Sequence, residues 1–446
     1  MWQDAKAKHQ RQVLCSTVKH NTLTCRQVDQ ANALASEVCV PKNYKDALSC
    51  PQSHEWVDSM KREYKNFTDM GVWEEVPNPG DKKLHSFMVA HAVKSDEHGN
   101  ETSKKTRMCL RGFNQIHGVD FDDTCAPVVR TSIVRFTLSI ITQLNLHAKQ
   151  FDFRAAFLNS FLKHLTYARP PPGYKVAKEG NVLKTLKAVC GTKQAANHWY
   201  EDAHKLFSKL GFRQSRIDQC LHIKYVDNKD IVLINLHVDD GICAAKDPKL
   251  VDATLKRIAS KCEISQSPLK WYIGLKTSRT PHEMHISSEK HVFALARKFK
   301  LEDAKAVRTP IEPKLILRKD DGSPKCSEDQ RSECVAMVGA LMYITTMCRP
   351  DAAYAVSKLS SFMQCPTHVH LKQARRCIIH LYHTRDHGLL YKRNIYLKGN
   401  DKQVIQNVEI NGWHDSDYNQ CPDTRRSQTG FLTYVKGNPL RATHRT

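Results

Sequence analysis

The chain has 446 residues, room for two or three domains with a real core, and no apolar run approaches the ~20 residues that span a bilayer. Lys and Arg total 68 against 46 Asp and Glu, a formal net charge of +22, which favours a polyanionic partner, nucleic acid before an anionic membrane surface. The stretch MWQDAKAKHQRQVLC lacks the apolar core of a signal peptide, the 16 cysteines include no C-x-x-C pair, and neither a P-loop nor a dinucleotide glycine motif occurs. An intracellular chain with reduced thiols is expected.

In chain order, residues 1–40 are polar and weakly periodic and read as a leader. HEWVDSMKREYKNFTDMGVW (54–73) carries Trp56, Met60, Tyr64 and Phe67 at helical spacing, an amphipathic helix. From about 84 to 130, short strands are expected, broken by polar turns such as DEHGN. RTSIVRFTLSIITQLNL (130–146) reads as a buried helix, HAKQFDF (147–153) as a strand carrying Asp152, and HWYEDAHKLFSKLGF (198–212) as a helix ended by Gly211. IVLINLHVDDGICAA (231–245) looks like an apolar hairpin with Asp239 and Asp240 at its tip. DDGSPKCSEDQRSE (320–333) reads as a polar linker, followed by helices over VAMVGALMYITTMC and DAAYAVSKLSSFM. His380, His383 and His387 share one helical face; a metal set is the weaker reading and a solvated helix end the plainer one. VEINGWHDSDYNQ returns to strand, and the class is α+β.

Most aspartate pairs sit in hydrated turns. Apolar flanks and a basic chain give Asp239 and Asp240 more weight, and a hairpin that brings them near Asp152 makes an oxygen-rich site for a hard divalent cation. Two such ions can stabilise the attacking and leaving oxygens of a phosphoryl displacement.

Around these residues the chain resembles the reverse transcriptase region of a copia-type LTR retrotransposon polyprotein. QFDFRAAFLNSFL resembles the family's Q-M-D-V-K-T-A-F-L-N-G-x-L, LKTLKAVCGTKQAANHWY its L-Y-G-L-K-Q-A-P-R-x-W-Y block, and LHVDDGIC its Y-V-D-D block. KTRMCLRGFNQIHGVDFDDTCAPVVR upstream, and WYIGLKTSR, RTPIEP, VGALMYITTMCRPDAAYAVSKLSSFM and DSDYNQCPDTRRSQTG downstream, recur in family order over roughly residues 41–440.

The resemblance implies a right-hand polymerase, with fingers and palm over 41–281 and thumb and connecting helices over 282–384. A partial RNase H-like sheet over 385–446 would follow. It implies that Asp152 and Asp239 hold two Mg²⁺ ions (Mn²⁺ as a substitute), with the Phe153 carbonyl completing one coordination sphere and Asp240 supporting the site's charge. Lys105 and Arg107 match positions that meet the incoming dNTP; Gly191, Lys193 and Gln194 match the block beneath the nucleotide. His237 stands where the family has the tyrosine near the primer terminus, and Gly274 lies in the primer-gripping turn. Asp415 matches the first RNase H carboxylate; the acids that complete that site do not appear in this sequence, so no RNase H activity is expected. The implied partners are an RNA or DNA template, a primer and dNTPs, with no membrane. Retention of the three palm aspartates favours RNA-directed DNA polymerisation; His237 and the incomplete nuclease block favour a non-catalytic, nucleic-acid-binding relic.

Overall fold

The computed structural model describes residues 40–95, 101–227, 230–393, 410–418, 421–435 and 437–445. The expected leader, apart from Val40, and the DEHGN turn lie outside the described residues. Helices α1 (Tyr44–Ser49) and α2 (Ser53–Asp69) lead into strands β1 (Trp73–Pro77), β2 (Leu84–His85), β3 (Phe87–Ser95) and β4 (Glu101–Leu110). Helix α3 (Thr131–Gln143), β5 (His147–Phe153), β6 (Phe161–Ala168), β7 (Asn181–Lys187) and helix α4 (Ala195–Lys209) follow. Next come β8 (Arg213–Gln214), β9 (Leu221–Val226), β10 (Asp230–His237), β11 (Asp240–Ala245), helix α5 (Pro248–Ala259) and β12 (Ile264–Pro268). Strands β13 (Trp271–Tyr272), β14 (Leu275–Arg279) and β15 (Glu283–Ser287) precede helices α6 (Glu289–Lys298), α7 (Glu328–Met347), α8 (Ala353–Ser360) and α9 (His368–His383). Strands β16 (Leu389–Lys392), β17 (Ile410–Ser416), β18 (Thr429–Val435) and β19 (Asn438–Arg445) complete the α+β chain.

Two compact units emerge, one of Met1–Pro127 with Ala155–Lys205 and one of Val128–Arg154 with Leu206–Thr446. In the first, α2 buries Trp56, Met60 and Phe67, the stripe its spacing predicts. Trp56 and Met60 pack with Val89 and Val93 of the β3–β4 ribbon, and Phe67 joins Trp73, Phe87, Met108 and Leu110. A four-stranded sheet in the order β1-β7-β6-β2 supports them. Strand character ends at Leu110: residues 111–130, expected to continue the strands, form a loop opened by a 3-10 turn at Gly112–Asn114.

The second unit is built on a six-stranded sheet in the order β12-β5-β11-β10-β9-β8. Residues 231–236 are all buried, so the apolar run reads as a strand covered on both faces. Helix α3 places Leu138 and Ile141 in one core with Leu146, Ile242, Ala244 and Tyr272. A second core joins α6 to α9 through Val292, Met337, Leu341, Val356 and Ile378. The expected linker is shorter than 320–333, because Ser327 and Gln330 form a capping box that starts α7 at Glu328. The Gln330 amide donates to Ser327 Oγ at 3.3 Å, and the Ser327 amide donates to Gln330 Oε1 at 3.0 Å.

Candidate active site

Strands β10 and β11 form an antiparallel hairpin closed by His237 opposite Asp240, with Val238 and Asp239 at its tip. Val238 adopts φ 61°, the left-handed backbone a tight turn demands. On the far side of β11, β5 places Asp152 directly opposite Asp240, and β12 places Ser265 opposite Asp152. His237, Asp240, Asp152 and Ser265 thus form one cross-strand row on a single face, with neighbouring Cα atoms about 4.5–5.5 Å apart. The Phe153 amide donates to the Asp239 carbonyl at 3.0 Å, fastening the tip to β5. Ser265 went unnoticed in the sequence, since only register brings it to this row.

Alternation along β5 turns Asp152 to solvent while Phe151 and Phe153 are buried. The Phe151 ring lies over Gly241, where a Cβ would stand 2.3 Å from the ring. The glycine after the aspartate pair is therefore required by a residue on another strand. Burial pushes the Asp240 carboxyl up to about 7, helped by the negative charges of Asp239 and Asp152. The His237 imidazole is held low by burial, against the pull of Asp239, and its Nδ1 has no hydrogen-bond partner among the described residues.

The donors suit a hard cation: three carboxylates that repel one another, all oxygen. Among the described residues, however, no three His, Cys, Asp or Glu side chains stand gathered to hold a metal ion. What the structure places together is the backbone row, Asp152 opposite Asp240 with Asp239 at the adjoining tip. His380 and His383 make no metal site either: His380 Nδ1 meets the Val307 carbonyl at 3.2 Å and His383 Nε2 the Ala304 carbonyl at 2.8 Å. His380 is also buried, not at the solvated helix end its sequence suggests.

The residues expected at the nucleotide belong to the first unit. Along β4, Lys104 and Thr106 face inward while Lys105 and Arg107 alternate with them on the other face. Gly191 has φ 91°, and a Cβ there would meet the Leu110 carbonyl at 2.3 Å. Lys193 donates its amine to the Gln115 carbonyl at 3.0 Å and lies 4.8 Å from the Phe121 ring centre. Gln194 is buried, accepts from Gln115 Nε2 at 3.1 Å and donates to the Asp120 carbonyl at 3.0 Å. Both side chains thus brace the 111–121 loop, a role their motif did not suggest. Gly274 forms the β13–β14 turn with φ 69°. Asp415 lies exposed on β17 opposite Gly430, at one edge of the β17-β18-β19 sheet.

A family model described as reverse transcriptase (RNA-dependent DNA polymerase) matches residues 70–313, which include the aspartate row. The chain belongs to the reverse transcriptase family. Its relatives include Pol polyproteins of plant copia-type transposons. The retrovirus-related Pol polyprotein from transposon RE1 of Arabidopsis thaliana is 28% identical over 92% of this chain. That from transposon TNT 1-94 of Nicotiana tabacum is 28% identical over 91% of it. The chain spans 27% and 30% of the length of these two relatives. A foamy viral protease-reverse transcriptase, solved in complex with double-stranded DNA, is similar at a TM-score of 0.47 and 12% identity, covering 87% of this chain and 55% of that one. No helix among the described residues is long and apolar enough to cross a membrane.

Proposed function

We propose that this reverse transcriptase chain is an RNA-directed DNA polymerase, joining a primer 3′-hydroxyl to the α-phosphate of a dNTP with release of pyrophosphate. The supporting observation is the row in which Asp240 faces Asp152 across β11 and β5, with Asp239 at the adjoining tip. Asp152 and Asp239 are the metal-holding carboxylates, the Phe153 carbonyl is the backbone donor, and Asp240 sets the local charge. Two Mg²⁺ ions bound there supply charge stabilisation for the attacking and leaving oxygens. Lys105 and Arg107 are the cations assigned to the triphosphate, whereas Gly191, with the Leu110 carbonyl where its Cβ would stand, serves the packing of its own unit.

The test is extension of a DNA primer on an RNA template with Mg²⁺ or Mn²⁺, beside an Asp239→Asn control. Wild-type extension lost in the control is expected, at a cost of at least about a hundredfold in rate. Extension equal in both would sink the reading. A second reading, a nucleic-acid-binding relic without turnover, is favoured by His237 in the row. Tight binding of template–primer with no extension in either cation would decide for it.

A further inference from the structure

One residue pair back from the aspartate row lies a second row on the same sheet face: Gln150 on β5, Ile242 on β11 and Asn235 on β10. The two rows are about 7 Å apart, two residues along a strand. This second row holds the β13–β14 hairpin at two points. Gln150 Oε1 accepts the Trp271 amide at 3.1 Å. The Tyr272 hydroxyl donates to Asn235 Oδ1 at 3.0 Å and lies 3.3 Å from the Asn235 carbonyl. Both side chains are buried, Asn235 at 0% and Tyr272 at 2% exposure. Asn235 Nδ2 in turn donates to Thr137 Oγ1 at 2.9 Å, and that hydroxyl donates to the Ile133 carbonyl at 2.8 Å.

The hairpin needs fixing because its turn is strained. Tyr272 pairs with Leu275, leaving a two-residue turn of Ile273 at φ 49° and Gly274 at φ 69°. A β-branched residue avoids that left-handed backbone, so the surroundings must impose it. The Tyr343 hydroxyl on α7 donates to the Ile273 carbonyl at 3.0 Å, and the His291 ring fills the place a Gly274 Cβ would take, 2.4 Å away. A buried hydroxyl and amide make a costly tie for mere cohesion, since an apolar pair of the same shape holds a core about as well.

We propose that Asn235 and Tyr272 are a positioning pair that registers the Ile273–Gly274 turn to the aspartate row, and so sets where a primer terminus meets the carboxylates. The proposal rests on the polymerase reading for its consequence, but not for its geometry. Neither residue touches a reacting atom; each acts through the turn. Hydrogen exchange of the Trp271–Lys276 amides, in the free protein, reads the registration directly. Primer extension on an RNA template reads its effect.

Tyr272→Phe and Asn235→Leu should each speed exchange of these amides at least about tenfold and lower kcat by about tenfold or more, while KM for dNTP stays within about threefold. The double variant Tyr272→Phe with Asn235→Leu removes both halves of the tie, with Thr137 Oγ1 keeping its bond to the Ile133 carbonyl, and should recover most of the thermal stability that Tyr272→Phe loses, while extension stays slow. A double variant that regains the wild-type rate along with stability would reduce the pair to a core contact and overturn the proposal. Unchanged exchange in Tyr272→Phe would overturn it equally. Failure of the wild type itself to extend a primer would sink the polymerase reading, with exchange still deciding whether the pair fixes the turn.

Discussion

Asp240 is where the local physics is most exposed to test. Its carboxyl is raised from the ordinary range to about 7, so between about pH 4 and pH 7 the folded chain keeps a proton that the unfolded chain has released. Stability of the metal-free protein should therefore fall as pH rises through that window, by on the order of 2–4 kcal/mol. Thermal melts in chelator from pH 5 to 8 should show the loss in wild type and not in Asp240→Asn, and added Mg²⁺ should reverse it. Equal pH profiles for the two proteins would remove the charge cluster from the account. Next to it, Gly241→Ala forces a methyl to within 2.3 Å of the Phe151 ring. Overpacking of this kind costs about 1–3 kcal/mol, and here the displaced ring is next to Asp152, so extension should fall more than melting temperature does. The aspartates themselves were legible, as carboxylates between apolar runs. Gly241 was not, because its reason is a ring on a strand about ninety residues away, and register between distant strands leaves no local mark.

At the scale of elements, the connection from α7 to α8 is held by one buried cation. Arg349 is 1% exposed and donates to both Asp351 oxygens at 2.9 and 2.7 Å, to the Thr384 carbonyl at 2.9 Å and to Thr384 Oγ1 at 2.7 Å. It thereby ties the end of α7 to the end of α9. Burial would raise the Asp351 carboxyl, but hydrogen bonds from His380 and Arg349, with the guanidinium charge, hold it well below the usual range. Its contribution is thus present above about pH 4 and is lost as pH falls further. Arg349→Met should cost about 2–3 kcal/mol, because it removes every bond of a buried guanidinium and leaves the Thr384 carbonyl and the Asp351 carboxylate without them. Asp351→Asn, at a half-exposed side chain, should cost only about 1 kcal/mol. Urea melts that rank the two the other way would reject this arrangement. The elements were read from the sequence where the apolar pattern is plain, as in the stripe of α2 and the continuous run of β10. They were misread where polar side chains bond to the backbone instead of to water. S-E-D-Q opens α7 as a cap, and Gln115 and Gln194 order a loop that was expected to be strand.

For the molecule as a whole, the net charge of +22 sets the terms of binding. A polyanion held by several Lys and Arg releases condensed counterions, so affinity falls steeply and linearly in log–log form with salt. Filter binding of an RNA–DNA hybrid should weaken at least about a hundredfold between about 50 and 200 mM monovalent salt. An affinity flat over that range would remove the phosphate backbone as the partner of this charge. The length left room for two or three domains, and which residues fall into each compact unit could not be read from it, since the second unit takes in 128–154 and resumes only at 206. No composition shift marks those crossings, and contacts across the chain draw them.

That interrupted course matters during synthesis. Strand β5 lies between β11 and β12, both of which follow it by roughly ninety residues or more. At about 5–20 residues per second, β5 leaves the ribosome some 5–20 s before either neighbour exists, and the stretch made in the meantime belongs mostly to the other unit. For that interval a strand with both edges open is available to any passing chain. Lys149 and Asp152 are the charges that discourage such pairing on β5. The carboxylate proposed to hold a metal in the folded chain is thus also, while the polypeptide is being made, a guard on its own strand.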